Sequence, residues 1–389
     1  MMNQRPLADM FEAVEGAHLS SRWKIARELT SLKNRVAFWF VRPIELLRTR
    51  HVGLNRDQVT PLAQSRVTRG AKLVVIFLVY QPRGFSSPAV NTLSYLAKNG
   101  FECCVVANGG LPEASKQLIR HIPGVLIERP NFGRDFGGYQ AGWKYLRASG
   151  QALGDVLFLN DSVWFPATTQ SAVLETIKSQ SEEVVGFADL GAIDSDPSSR
   201  VLASYFLYFR QSEAVFALLD DFWGSYKPSN FHHYTIKAGE RKLSALIKRS
   251  GLGWSAVFDN QKLYQYLIGR SEDEIHFVLK YAAYQDKSFA LEGKHLLGTK
   301  EKSTNQAQWK QQALQHMHAV LARRSGMASF PIGCLSMLRW DCVKRGSTVL
   351  QRQAVGAIYR AYKSEDLPAA DASVMNEIGC SKSSLAFPR

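Results

Sequence analysis

The stretch "KLVVIFLVY", Lys72 to Tyr80, decides the fold class of this 389-residue chain. It is a continuous apolar run rich in β-branched residues, which is typical of a strand covered on both faces of a sheet. Helical stretches and further apolar runs alternate after it, over short connections. The further strands are predicted at 101–107, 124–129, 155–160, 183–189 and 203–210, and the helices at 88–99, 113–121, up to 148, and 168–179. This alternation predicts an α/β domain with a mostly parallel central sheet flanked by helices.

The two ends of the chain differ from this alternating centre. Residues 22–42 carry apolar side chains at helical spacing with basic residues between them. They predict either a helix packed on the main domain or an interfacial helix on anionic lipid. Residues 50–70 are polar and lack periodicity, which predicts a linker. Further helices are predicted at 306–325 and 349–363. We therefore expect three parts: a basic helical extension and linker (1–70), the α/β domain (71–300) and a basic helical C-terminal region (301–389).

Charge and composition narrow the classes of function. The net charge is +14, and residues 1–70 and 301–389 each hold 12 basic and 6 acidic residues, while the middle is nearly neutral. Basic ends suit an anionic membrane surface or an anionic substrate. No nucleic-acid-binding motif is present, so nucleic acid is not an expected partner. The first residues lack a signal-peptide core, and no run is long and apolar enough for a membrane span. The five cysteines include the adjacent Cys103 and Cys104, and they predict reduced, buried thiols in a cytoplasmic protein.

Two loops stand at the ends of predicted strands. The first, "NFGRDFGG", begins at Asn131 and leads directly into a helix. Its glycines permit close approach of backbone N–H groups to an anion, and a helix N-terminus favours negative charge. Asn131, Gly133, Arg134 and Asp135 are thus candidates for binding a phosphate or nucleotide. The competing interpretation is structural: Asp135 caps the helix.

The second loop follows the run "VLFL" and begins with Asn160, Asp161 and Ser162. Short oxygen-bearing side chains at a strand end suit a hard divalent cation that also keeps waters and substrate phosphates as ligands. Asp161 is the candidate metal ligand, for Mg²⁺ or Mn²⁺. With a single carboxylate the site would be weak, so Arg134 or other basic residues are alternatives for neutralising a pyrophosphate.

These motifs carry a family resemblance. "RPNFGRDFGGYQAGW" together with "FLNDSVWFP" resembles the rhamnan synthesis protein F family of bacterial polysaccharide enzymes, and more broadly the nucleotide-sugar half of GT-A glycosyltransferases. The likeness extends from about Lys72 to Gly251. It departs from the wider GT-A pattern at Asn160 and Ser162, where carboxylates are common, and this departure puts tight metal binding in doubt.

The resemblance implies a fold and a function. The expected protein is a GT-A-like, inverting hexosyl- or deoxyhexosyltransferase that moves a sugar, rhamnose by the family's name, from a nucleotide-sugar donor. The acceptor would be a lipid-linked glycan of a bacterial surface polysaccharide or lipopolysaccharide, at the inner face of the cytoplasmic membrane. The alternative is a non-catalytic GT-A-like protein that binds a glycan or an assembly partner.

The resemblance also implies an acidic base near the start of a downstream helix, and Glu240 matches that place. The structural alternative is that Glu240 only complements the helix dipole. Asp189, at a strand end, competes for the role, as do Asp194 and Asp196 in the next loop. Trp164 is the aromatic residue singled out for contact with a sugar, although the aromatic residues as a group are expected to be mostly core.

Overall fold

The computed structural model describes residues 57–63, 72–196 and 200–384, together with Val36, Val41, Pro43 and Glu45. Its centre is an eight-stranded sheet with the order β1-β4-β3-β2-β5-β8-β7-β9, and β6 pairs separately with β10. The strands are β1 (Gln58–Pro61), β2 (Lys72–Val79), β3 (Glu102–Asn108), β4 (Gly124–Arg129), β5 (Leu153–Asn160), β6 (Val163–Trp164), β7 (Val184–Ala188), β8 (Phe206–Phe209), β9 (Trp254–Phe258) and β10 (Val343–Lys344).

The sheet is mixed but mostly parallel, which confirms the predicted fold class. Strands β4, β3, β2 and β5 are parallel to one another, and β7 is parallel to β9. Strand β8 is antiparallel to both of its neighbours, and β1 is antiparallel to β4 at the edge. The interpretation of residues 50–70 as a linker is therefore wrong for β1. All four β1 residues are exposed, so this strand lacks the apolar pattern by which a strand is recognised.

Helices fill the connections as the alternation predicts. They are α1 (Ser87–Lys98), α2 (Glu113–Ile119), α3 (Arg134–Ala148), α4 (Val173–Ser179), α5 (Glu213–Ser225), α6 (His232–Tyr234), α7 (Lys242–Arg249), α8 (Asn260–Ile268), α9 (Glu272–Lys280), α10 (Lys287–Thr299), α11 (Gln306–Leu321), α12 (Gly326–Ser329), α13 (Val349–Lys363) and α14 (Ala372–Ser384). Two short π-helical turns, Thr235–Arg241 and Gly333–Met337, lie between them. The helix predicted at 168–179 begins only at Val173, because Thr168 and Ser171 instead donate hydrogen bonds to the buried carboxylate of Asp341.

Strand β2 is buried on both faces, as its sequence predicts. Its alternate residues pack into two different cores. Val75, Phe77 and Val79 lie in the core shared with α1, α4 and the C-terminal helices, whereas their neighbours face α3 and α5. Each fully buried side chain of this size contributes about 1.5–3 kcal/mol of transfer free energy. The strand therefore joins two cores into one unit.

The order of the strands places a crevice beside β2. The chain proceeds from β2 to β3 and β4 on one side and then returns to β5 on the other. In open α/β sheets, ligands bind at the carboxyl ends of the strands where this reversal occurs. At that edge the amide of Asp161 donates to the carbonyl of Leu78, and the amide of Tyr80 donates to the carboxylate of Asp161. Both predicted loops lie at this edge of the sheet.

Several expectations concern the rest of the chain. The helix predicted at 22–42 lies outside the described residues except for Val36 and Val41. In the part of the chain that the structure describes, no helix is long and apolar enough to cross a membrane. Cys103 and Cys104 are free and fully buried, and burial raises the pKa of the Cys104 thiol to about 12. The division into three parts stays a prediction.

Candidate functional site

A cavity of about 190 Å³ opens at the carboxyl ends of the central strands, between the sheet and the C-terminal helices. Four of the predicted site residues line it: Arg134, Asp135, Asn160 and Glu240. The opposite wall comes from α12, α13 and the turn before β10, and it is largely apolar. The cavity therefore combines a polar floor made by the sheet with an apolar wall made by the C-terminal region.

The start of α3 forms one side of the polar floor. Gly133 has a φ of +83° and donates its amide to Oδ1 of Asn230 at 2.7 Å, and Arg134 follows with a φ of +53°. Helix α3 has no side-chain cap, so Asp135 does not cap it and the structural interpretation of that residue is wrong. The N–H groups of the first turn lack partners within the helix, which makes this end of α3 suited to an anion.

Asn160 connects the two predicted loops. Its Nδ2 donates to Oδ2 of Asp135 at 3.2 Å, and its Oδ1 accepts hydrogen bonds from both the amide and the hydroxyl of Ser162. Asn160 itself is almost fully buried. The loop after β4 and the triplet after β5 thus meet in one hydrogen-bonded group, as their shared position at the sheet edge predicts.

Asp161 plays a different part from the one the sequence suggested. Its Oδ2 accepts from the Tyr80 amide at 3.1 Å and from Nε2 of Gln81 at 3.0 Å. Burial raises the pKa of this carboxyl, whereas these hydrogen bonds and the charge of Arg345 oppose the rise. Asp161 is not among the residues that line the cavity. The carboxylate fastens the end of β2 to the end of β5.

The triplet does not suit a divalent cation. One Asp161 oxygen, the Asn160 carbonyl and the Ser162 hydroxyl are all engaged with other protein groups. Among the described residues, no group of three or more His, Cys, Asp or Glu side chains could hold a metal ion. Apart from Oδ1 of Asp161, the oxygens expected to bind Mg²⁺ or Mn²⁺ are therefore committed to hydrogen bonds within the fold.

Glu240 lies on a helical segment that crosses the cavity. Its Oε1 accepts from the amide of Ser204 at 3.0 Å and from the Ser204 hydroxyl at 2.8 Å, and the side chain is buried. The residue sits in the π-helical turn Thr235–Arg241, which continues α6 into α7. It is therefore inside a helical run rather than at its start, so the interpretation that it only complements a helix dipole is wrong. Such π-turns occur frequently at functional sites.

A glycine brings this turn close to α3. A Cβ on Gly239 would lie 2.8 Å from Cγ of Phe136, nearer than real Cβ atoms approach. Because glycine lacks that atom, the backbone beside Glu240 packs directly on the ring that follows Asp135. The base candidate and the start of α3 are thereby held on the same side of the cavity.

The sequence reasoning missed the residues from the C-terminal region. Lys344, on β10, donates from Nζ to Oγ of Ser162 at 2.7 Å, and its ammonium group lies 4.4 Å from the centre of the Tyr205 ring. Trp340 also lines the cavity, as do the aromatic residues Tyr205 and Phe136 from the sheet side. The only sequence signal was the short stretch "DCVKRG", which has no periodicity and pairs with residues about 180 positions earlier.

Other predicted residues are not brought to the cavity. Asn131 is exposed beside the β3–β4 edge, and Trp164 packs among the C-terminal helices with Arg345 over its ring at 5.3 Å. Asp189 accepts from the Gly191 amide and pairs with Arg200 at 3.5 Å. The remaining two candidates, Asp194 and Asp196, are likewise not among the lining residues, and Asp194 pairs with His318. Of the acidic candidates for a base, only Glu240 faces the cavity.

With the two loops joined at one cavity, the chain can be compared with known proteins. Residues 103–283 match the model of the rhamnan synthesis protein F family. The resemblance based on the two loops is confirmed over this stretch, which contains the loops, Glu240 and strands β3 to β9 other than the first residue of β3. Strand β2 and Lys344 lie outside it.

The individual proteins that resemble the chain give weaker evidence than the family model does. The chain is 26% identical over 223 residues to an uncharacterized protein of Sinorhizobium fredii, and the alignment covers 56% of this chain and 58% of that protein. The chain thus spans little more than half the length of this relative. Among solved structures, the glycosyltransferase GlyE of Streptococcus pneumoniae is 12% identical, with 65% of this chain and 62% of that chain covered. Its TM-score is 0.28, at which the likeness supports no conclusion about fold or function.

Proposed function

We propose that the protein transfers a sugar from a nucleotide-sugar donor to a glycan of a bacterial surface polysaccharide. The family match supports a place in rhamnan or related polysaccharide synthesis. The observation that carries the proposal is one cavity that holds both an uncapped helix start and a buried carboxylate, Glu240. Such a transfer requires that the protein bind an anionic diphosphate and accept a proton.

The donor would lie with its diphosphate at the start of α3. There the free N–H groups of the first turn and the Arg134 side chain offer positive potential to the phosphates. Asp135 and Asn160, which also line the cavity, offer acceptors and donors for hydroxyl groups of the sugar or ribose. Tyr205 and Trp340 present aromatic surface of the kind that packs against a sugar ring. The donor sugar is proposed to be rhamnose or a related deoxyhexose.

In the proposed reaction Glu240 acts as the general base. An acceptor hydroxyl gives its proton to the Glu240 carboxylate, and the hydroxyl oxygen forms a bond to C1 of the sugar. The bond from C1 to the diphosphate oxygen breaks, and its electron pair leaves with the nucleoside diphosphate. Hydrogen bonds from Ser204 to Oε1 hold the carboxylate in place and leave Oε2 for the proton. Attack opposite to the leaving group inverts the configuration at C1.

The acceptor is proposed to be a lipid-linked glycan at the inner face of the cytoplasmic membrane. The net charge of +14 would attract the protein to an anionic surface. Contact with the membrane would then be peripheral and dependent on salt, because exposed charges are screened.

Nucleotide binding and turnover test the proposal. Calorimetry with UDP, GDP and dTDP should detect binding of at least one of them, and the corresponding nucleotide sugars should release that diphosphate on incubation. Replacing Arg134 by Gln should weaken diphosphate binding about tenfold, which is about 1.4 kcal/mol. Arg147→Gln is the matched control, because Arg147 lies at the other end of α3 and pairs with Asp220. Its diphosphate affinity should equal that of the wild type.

Two results would count against this function. If none of the three diphosphates binds at about 1 mM, the donor site does not exist. If a glycan binds and diphosphates do not, the alternative of a non-catalytic glycan-binding protein replaces it. That alternative draws its support from the triplet, whose oxygens are committed within the fold.

A further inference from the structure

Lys344 is a positive charge that the family match does not include and that the proposed reaction has not yet used. It lines the cavity together with Asp135 and Glu240, and the residue is half-buried. Burial lowers the pKa of this lysine, while the charges of Asp135 and Glu240 oppose that shift. A buried ammonium group is costly unless it is paired or hydrogen-bonded. Its retention at a ligand cavity therefore calls for an explanation.

Hydrogen bonds of the neighbouring residues Arg345 and Asp341 fix the position of Lys344. Its neighbour Arg345 donates from the amide to the Ser162 carbonyl at 2.8 Å and from Nη1 to the Asp161 carbonyl at 3.2 Å. Behind it, the fully buried Asp341 accepts hydrogen bonds from Thr168 and other residues of the segment after β6. Strand β10 is thus fastened over the triplet, and Lys344 has little freedom to move away from the cavity.

The ammonium group keeps donors available for a ligand. An ammonium group has three N–H donors. One of them is directed to Ser162 Oγ, and no other acceptor lies within hydrogen-bond distance among the described residues. The side chain also lies over the Tyr205 ring, which favours the cation without using a donor. Two N–H groups can therefore reach an anion in the cavity.

Lys344 stands beside the triplet, where a divalent cation was expected. The hydroxyl of Ser162, one of the three expected metal ligands, binds the ammonium group instead. The start of α3 and Lys344 lie on the same side of the cavity. Asn160 is hydrogen-bonded both to Asp135, in the first turn of α3, and to Ser162, which accepts from Lys344. Burial lowers the pKa of Lys344 and the charge of Asp135 opposes this shift, which agrees with this proximity.

We propose that the ammonium group of Lys344 binds the diphosphate of the donor and takes the role that a divalent cation would otherwise have. This inference rests on the proposed function. When the bond from C1 to the diphosphate breaks, the electron pair stays on the phosphate oxygen, and the two free N–H groups of Lys344 donate hydrogen bonds to that charge. No proton leaves the lysine, and no metal ion is needed to balance the step.

Calorimetry in EDTA and in Mn²⁺ tests this inference on the full chain. The probes are UDP, GDP and dTDP, each compared with its nucleoside. Wild-type diphosphate affinity should change less than about threefold between the two buffers. Lys344→Met, which keeps the length of the side chain, should lose about 30-fold or more in diphosphate affinity and keep its nucleoside affinity. Lys344→Arg should recover most of the loss.

The matched control is Lys363→Met, which removes one exposed lysine from α13 and should leave both affinities unchanged. Thermal melting of each variant establishes that it is folded. Diphosphate binding that EDTA abolishes in the wild type, or wild-type diphosphate affinity in folded Lys344→Met, would overturn the role of Lys344 while leaving the proposed function intact. Equal losses for nucleoside and diphosphate would also overturn it, since a lysine that only shapes the fold gives that result. Absence of any binding in the wild type overturns the proposed function and this inference together.

Discussion

Replacing Glu240 by Gln separates the chemistry of this residue from its packing. The amide oxygen of Gln can accept the same two hydrogen bonds from Ser204, at 3.0 and 2.8 Å in the wild type. We therefore expect the free energy of unfolding to change by less than about 1 kcal/mol. Gln cannot accept the proton of the acceptor hydroxyl, and general-base catalysis contributes about 10²–10⁴ in rate. Turnover should fall by that factor, equivalent to about 2.7–5.4 kcal/mol of activation free energy.

The assay follows release of nucleoside diphosphate in the presence of the acceptor, with thermal melting and donor calorimetry on the same preparation. Donor affinity should stay within about threefold of the wild type, because the proposed diphosphate site lies at the start of α3. Glu183→Gln is the control: its carboxylate also accepts a backbone hydrogen bond, from Gly253 at 2.7 Å, and it does not line the cavity. Wild-type turnover in Glu240→Gln would refute the assignment of the base, and Asp135, the other carboxylate that lines the cavity, would become the next candidate.

Two other predictions follow from the C-terminal anchor and from the charge of the chain. Asp341→Ala should lower the free energy of unfolding in urea by about 1–3 kcal/mol, because it leaves the buried amide and hydroxyl of Thr168 and the part-buried hydroxyl of Ser171 without an acceptor. A loss as small as that of exposed Glu113→Ala would contradict this. Sedimentation with anionic vesicles should recover the protein at low salt and release it at high salt, since the attraction is electrostatic. Equal recovery with neutral vesicles would reject the electrostatic association.

The sequence was sufficient for the elements whose signal is local. The continuous apolar run of β2 predicted a strand buried on both faces, and the alternation after it predicted the fold class. The two loops were expected at one sheet edge, and the structure joins them through Asn160 and Asp135. In each case the deciding pattern lies within a few consecutive residues or in a repeated strand-helix order.

What the sequence could not predict depends on distant pairing. Strand β10 has two residues, and only its pairing with β6 brings Lys344 to the cavity. Trp164 directly follows the triplet along the chain, yet in the fold it packs with the C-terminal helices, while Trp340 lines the cavity from far downstream. The π-helical turn around Glu240 also has no signature in apolar spacing. These features follow from tertiary packing, which local propensity does not determine.

The separation of 182 residues between Ser162 and Lys344 has a consequence during synthesis of the protein. At about 5–20 residues per second, a ribosome needs about 10–40 s to proceed from one to the other. Once Glu240 has been made, the nascent chain carries Asp135 and Glu240 while the lysine that faces them does not yet exist. In the proposed site, a donor would then meet the start of α3 and Arg134 without the ammonium group of Lys344. If Lys344 binds the diphosphate as proposed, a chain that stops before residue 344 should hold a nucleoside diphosphate more weakly than the full chain does.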